Sequence, residues 1–265
     1  MPPFTACIVQ TVSHPYDKEG NLRRALLAME DARAKGASLI LFPEMYLTGY
    51  LIRDRLAELA EPLEGPSVAA LRARAKELGL AVVLGLPLAD PEGGKPANAL
   101  LFIDRDGSVP GVARKTHMFG GEEKMFAPGG ELRAFDTSLG RVGLMVCYDG
   151  EFPETARTLA LDGAELLCMC AANMTPYEDY HPVYMRARAM ENTVHTLYCN
   201  YVGDERRFHY CGQSCAYDPA GRILAESGTD EETVLTVTVD PARREAVLRD
   251  LNYLACRRPE LYHKD

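Results

Sequence analysis

The run Leu80-Ala81-Val82-Val83-Leu84-Gly85-Leu86 has no polar side chain on either parity. Alternate residues of a strand face opposite sides, so such a run suits a strand covered on both faces. Residues 39–42, ended by Pro43, read as a second short buried strand, and Phe4–Val12, 142–146, 165–170, 196–201 and Thr233–Val239 as further strands. Stretches of helical period lie between them. Residues 21–35 set Leu22, Ala25, Leu26 and Met29 on one stripe and stop at Gly36. Gly65-Pro66-Ser67 opens a helix with Val68, Leu71, Ala75 and Leu78 inward, ended by Gly79. Residues 153–162, 182–193 and 241–249 supply three more.

Two hairpins interrupt the alternation. Residues 98–103 and 109–113 flank Asp104-Arg105-Asp106-Gly107, and 214–217 and 222–225 flank Asp218-Pro219-Ala220-Gly221. The expected fold class is therefore α/β, with a mixed sheet or two sheets. No linker composition, repeat or low-complexity segment divides the 265 residues, which are expected to form one domain, 1–265, with an unpatterned tail from 251 to 265.

A formal net charge of -9 and the lack of a basic stretch argue against a nucleic-acid partner. No apolar run approaches the roughly 18 residues of a membrane span. Met1-Pro2-Pro3-Phe4-Thr5-Ala6-Cys7 does not read as a signal peptide, so a cytoplasmic enzyme or binding protein is expected. Eight cysteines in such a chain read as reduced thiols. Cys168 and Cys170 share one face of a strand, as small core residues. His209, Cys211 and Cys215 lack a fourth ligand at zinc-like spacing, so no metal is expected.

Three segments carry chemistry. Cys147 ends the apolar run Val142-Gly143-Leu144-Met145-Val146, just before a helix at Pro153. A helix N-terminus favours negative charge, which predicts an easily formed thiolate and makes Cys147 a candidate nucleophile. Glu44 follows Phe42-Pro43 at another strand end, where desolvation raises a carboxyl pKa and suits it to act as a base; alternatively it is a solvated or helix-capping loop residue. Lys115, after a third strand, is either a surface lysine or a buried ammonium able to hold an oxyanion. His117 is read as a loop residue pinning backbone in preference to a partner for Cys147. Arg188 and Glu191, three apart on a helix, are read as a structural pair.

With their flanks, these segments resemble the nitrilase (carbon–nitrogen hydrolase) superfamily. Phe42-Pro43-Glu44 with Gly49-Tyr50 is similar to its glutamate motif. Arg114-Lys115-Thr116-His117 with Phe126-Ala127-Pro128-Gly129 is similar to its lysine motif, and Gly143-Leu144-Met145-Val146-Cys147-Tyr148-Asp149 to its cysteine motif. Arg186 to Asn192, Asp218 to Gly221 and Arg257 to Tyr262 resemble later family segments, so the resemblance spans nearly the whole chain.

The resemblance implies a four-layer α-β-β-α sandwich and a Glu44-Lys115-Cys147 triad with no cofactor. It implies that Cys147 attacks a carbonyl or nitrile carbon, that Glu44 moves the protons, and that Lys115 and the Tyr148 N–H hold the oxyanion. A second glutamate that orients substrate and lysine falls at Glu122 or Glu123; Glu123 is chosen because it precedes Lys124. Nitrile-cleaving members tend to place Trp-Glu after the cysteine, whereas this chain has Tyr148-Asp149 and no tryptophan. A small amide is therefore the expected substrate, with an N-carbamoyl amine hydrolase or a nitrilase as alternatives. A non-catalytic binding or scaffold member has no need of all three groups. Tyr50, Tyr148 and Asn173 are the expected substrate-binding residues. No nucleic acid or membrane partner is expected; a homodimer or higher homo-oligomer is, paired through helices after the cysteine and through the 251–265 tail.

Overall fold

The apolar runs become the inner strands of two sheets. The structure, a computed structural model, describes residues 2–262. The chain runs β1 (Phe4–Val12), α1 (Lys18–Ala34), β2 (Leu39–Leu41), α2 (Leu56–Leu59), α3 (Pro66–Leu78), β3 (Ala81–Leu88), β4 (Ala97–Ile103) and β5 (Gly111–Arg114). It continues through β6 (Ala134–Thr137), β7 (Gly140–Val146), α4 (Pro153–Leu161), β8 (Leu166–Cys170), α5 (Tyr180–Asn192) and β9 (His195–Cys199). It closes with β10 (Tyr201–Glu205), β11 (Phe208–Cys211), β12 (Cys215–Tyr217), β13 (Ile223–Glu226), β14 (Thr233–Val239) and α6 (Pro241–Asp250).

Among the described residues one sheet has the order β11-β10-β1-β2-β3-β4-β5, with β14 also paired to β1, and the other β13-β12-β9-β8-β7-β6. The centres are parallel, β1-β2-β3 in one and β7-β8-β9 in the other. Both expected hairpins are antiparallel ladders at the edges, β4-β5 and β12-β13.

Strand parity builds the layers. Ile8, Leu41 and Val83 of the first sheet pack against Val146, Cys168 and Cys170 of the second, forming the core between sheets. The opposite parity, Cys7, Ile40, Val82 and Leu84, packs under Ala25 and Met29 of α1 and Val68 and Leu71 of α3. Met145, Leu167 and Met169 of the second sheet meet Leu159 of α4 and Met185 of α5. This is the α-β-β-α sandwich, with Cys168 and Cys170 as core thiols between its sheets.

The expected strand at 196–201 is a correction: it is two strands in different sheets. Asn200 marks the break. Its side chain accepts from Asn173 N at 2.8 Å and donates to Asn173 O at 3.2 Å and Gly212 O at 2.9 Å. An amide side chain that satisfies backbone on both sides of a crossing competes with the ladder it interrupts. The last three residues of the expected 251–265 tail lie outside the described residues.

Candidate active site

Three strand ends deliver the three groups to one place. Glu44 follows β2, Lys115 follows β5 and Cys147 follows β7. Ligand sites in parallel sheets form outside the carboxyl ends of strands, where loops are free to diverge. Glycines permit the approach. A Cβ on Gly85 would strike the backbone nitrogen of Met45, so the Glu44 loop closes over β3 only because Gly85 has none. Gly129 N donates to Lys115 O at 2.7 Å, and Lys115 N to Asn98 O at 2.8 Å, which fixes the backbone on both sides of the ammonium.

Glu44, Lys115 and Glu122 form a buried cluster in which Lys115 is wholly enclosed. Lys115 Nζ donates to Glu44 Oε1 and to Glu122 Oε1, each at 2.9 Å. Glu44 Oε1 also accepts from Asn98 Nδ2 at 2.6 Å, and its Oε2 from Ala172 N at 2.9 Å. Glu122 Oε1 accepts from the Tyr50 hydroxyl at 2.7 Å, and its Oε2 from Phe119 N at 2.8 Å. Buried charges persist only when paired and hydrogen-bonded in this way.

Two carboxylates share one ammonium, and the consequence falls on protons. Burial raises the Glu44 carboxyl pKa; Lys115 opposes the shift and the Glu122 charge adds to it. Burial alone would lower the Lys115 pKa, yet Glu44, Cys147, Tyr50 and Glu122 together hold it well above the ordinary value. Burial drives the Cys147 thiol well above its ordinary pKa, Glu44 pushes further, and Lys115 pulls back. Desolvation thus works against the easily formed thiolate expected from the helix end.

Cys147 opens a short 3₁₀ turn, Cys147–Glu151, with φ at +48°. A non-glycine residue in the left-handed region is strained by ~1 kcal/mol or more, so its surroundings must hold it there. Asp149 does so. Its carboxylate accepts from Val146 N at 3.2 Å, His117 N at 2.9 Å and the Thr116 hydroxyl at 2.7 Å, tying the cysteine turn to the lysine loop. Arg188 braces the other end, donating to the carbonyls of Gly150 at 3.2 Å and Glu151 at 2.8 Å. It also pairs with Glu191 at 3.1 Å, as the spacing predicts. His117 bonds Asp149 at 2.9 Å and stacks on Phe152 at 3.9 Å, a pinning role and not a partner for Cys147.

A cavity of about 260 Å³ opens over Cys147. Tyr50, Phe119, Tyr148, Tyr177 and Tyr180 give it an aromatic wall; Ala172, Asn173, Met174, Glu151 and His181 complete it. The three residues expected at the substrate, Tyr50, Tyr148 and Asn173, all line it. The choice of Glu123 is corrected. Glu123 is exposed, while Glu122 is buried against Lys115. Gly121, with φ +94°, turns the chain so that only the first of the two glutamates faces inward. Asn98, Asp149 and Arg188 hold the site but carried no positional signal in sequence beyond the motifs they sit in. His209 is exposed and bonded to Asp204 at 2.8 Å, whereas Cys211 and Cys215 are buried. No group of three or more His, Cys, Asp or Glu among the described residues is placed to hold a metal, and no helix among them is long and apolar enough to cross a membrane.

Known proteins are similar to this chain in sequence and fold. The family model for carbon-nitrogen hydrolases matches residues 5–249. A protein of Pseudomonas protegens named "Hydrolase in pqqF 5'region" is 40% identical over 96% of this chain and 89% of its own length. An (R)-stereoselective amidase of Pseudomonas sp. is 36% identical over 95% and 90%. A solved amidase mutant from Nesterenkonia sp. AN1, with the acetamide moiety of fluoroacetamide added covalently at its active-site cysteine, superposes with TM-score 0.86 at 30% identity, covering 97% of this chain and 95% of that one. The chain belongs to the carbon-nitrogen hydrolase family, in the amidase-like branch of the nitrilase superfamily.

Proposed function

We propose that the protein hydrolyses small linear amides to carboxylate and ammonia through a thioester on Cys147. The observation that supports this most is the buried Glu44–Lys115 pair together with Cys147 in the wall of an aromatic-lined cavity. A protonated thiol needs a base, and a carboxyl whose pKa is raised is suited to be one at neutral pH.

Glu44 takes the thiol proton as Cys147 Sγ bonds to the amide carbon and the carbonyl π electrons move to oxygen. Lys115 Nζ and the Tyr148 N–H, in the first turn of the Cys147–Glu151 helix where amides lack intrahelical acceptors, hold the oxyanion. Glu44 gives its proton to the departing nitrogen, the carbon–nitrogen bond breaks, and ammonia leaves a thioester. Glu44 then takes a proton from water as the hydroxyl adds. Collapse expels the thiolate, which recovers its proton from Glu44, and the acid gives up its own proton to solvent and leaves as carboxylate. Glu122 orients Lys115 and holds Tyr50 at the cavity wall. No cofactor enters these steps.

Ammonia release from matched amide and nitrile pairs tests the reading. Turnover of amides well above the corresponding nitriles supports it; faster nitrile turnover refutes it.

The working form is proposed to be a cytoplasmic homodimer or higher homo-oligomer. Leu161, Val183 and Met190 are exposed on α4 and α5, and Met190 lines one groove with Tyr253, Cys256 and Tyr262 of the tail. An apolar face of this kind favours a partner surface.

A further inference from the structure

The cavity over Cys147 has a charged end that the reaction does not use. Cys147 and Glu151 are the first and last residues of one 3₁₀ turn, which at ~2 Å per residue sets their backbones about 8 Å apart. Both line the cavity; among the described residues no lysine or arginine does, and Glu151 is the only acidic one in its wall.

Glu151 is held from behind. His181 is buried between Glu151 Oε1 at 3.3 Å and the Tyr198 hydroxyl at 3.2 Å. Burial keeps Tyr198 a neutral phenol. The two ring nitrogens of His181 bridge Tyr198 and Glu151, so the hydrogen bond to Oε1 fixes the carboxyl group from behind. Among the described residues no group donates to Oε2 of Glu151. Arg188, the nearby guanidinium, directs its donors to the carbonyls of Gly150 and Glu151 and to Glu191. Tyr148, Phe119 and Tyr177 stand edge to face across the same cavity, with centroids 5.4 and 5.9 Å apart. A carboxylate with one open oxygen beside aromatic faces is a receptor for an alkylammonium group.

We propose that Glu151, positioned by His181 and Tyr198, determines specificity by selecting amides whose acyl chain carries a protonated amine and disfavouring those that carry a carboxylate. This rests on the amide reading of the same site. The ammonium lies between the aromatic rings and Oε2 while the amide carbon lies at Cys147 Sγ.

The test is kcat/KM of the full-length protein for ω-amino amides from glycinamide to δ-aminovaleramide. Each is paired with its neutral methyl-capped isostere and its ω-carboxylate counterpart. At the best chain length the amino amide should exceed its neutral isostere by about tenfold or more, mainly through KM, and the carboxylate should be the poorest of the three. Glu151→Gln should bring the amino-to-neutral ratio towards one, and Glu151→Lys should invert the order in favour of the carboxylate. Should either variant fail to fold, the wild-type ratios decide alone. Neutral amides turned over as well as amino amides at every length, or carboxylates preferred, would overturn the proposal and leave amide hydrolysis standing. Absence of ammonia release from all amides, with no acyl adduct on Cys147, would overturn the amide reading and the proposal with it.

Discussion

Lys115 Nζ lies 2.9 Å from Glu44 Oε1, and neither side chain reaches solvent. With Glu122 on the other side of the ammonium, the cluster holds two carboxylates for one fixed positive charge. Burial, and after it the Glu122 charge, raises the Glu44 pKa against the pull of Lys115, and burial followed by Glu44 raises that of the Cys147 thiol. In the proposed reaction one environment serves both base and nucleophile, with Lys115 left to meet the oxyanion.

Activity should therefore fall on the acid side at a pH above the ordinary carboxylate range. The Glu44 pKa is raised, first by burial and then by Glu122 against the pull of Lys115, so its base form is lost as pH falls through that raised value. The kcat/KM profile for a neutral amide measures this limb. Glu122→Gln removes a like charge and should move the limb to lower pH; a limb that stays in place would show that Glu44 does not set it.

The two adjacent glutamates should separate cleanly. Glu122→Gln should lower kcat by about a hundredfold, because it frees Lys115 and Tyr50 from a shared anchor. Glu123→Gln should stay within about twofold of the parent, since surface substitutions away from a network change little. Steady-state kinetics on both variants decide the assignment.

Asp149 should matter to stability as well as to rate. Asp149→Asn keeps the shape but turns one acceptor into a donor, which then faces either the Val146 N–H at the Oδ2 position or the His117 N–H at the Oδ1 position. Leaving that N–H unpaired costs about 1–3 kcal/mol. A clear drop in Tm together with reduced kcat is expected; unchanged Tm would mean that the cysteine turn holds its strained φ without this carboxylate.

The exposed apolar face of α4, α5 and the tail predicts association. Light scattering should give a mass that is a multiple of 29.2 kDa. Val183→Glu, on the exposed flank of α5, should shift the species towards monomer.

Much of the layout was legible because parity and period are local. Phe4–Val12 and Thr233–Val239 are strands with the bounds the pattern predicts, and Gly79 ends α3 in the left-handed conformation that its sequence position suggests. What escaped was set by distant contacts. The break at Asn200 depends on Asn173 and Gly212, and the β10-β11 hairpin follows from it. Glu44, Lys115 and Cys147 were recognisable together with their flanks. Glu122 and Glu123 were not separable, because the direction of Gly121 decides which one faces Lys115. The surroundings of the thiol escaped for a related reason: the helix end is visible in sequence, but the walls that desolvate Cys147 are not.

Cys147 is the centre of the account, and intact-protein mass spectrometry during amide turnover tests it most directly. The account predicts an added acyl mass that maps to Cys147, disappears as substrate is consumed, and is absent from Cys147→Ala, whose turnover falls by several orders of magnitude. A Cys147→Ala protein that turns over amide at the parent rate, or an acyl group found on a different residue, would contradict it.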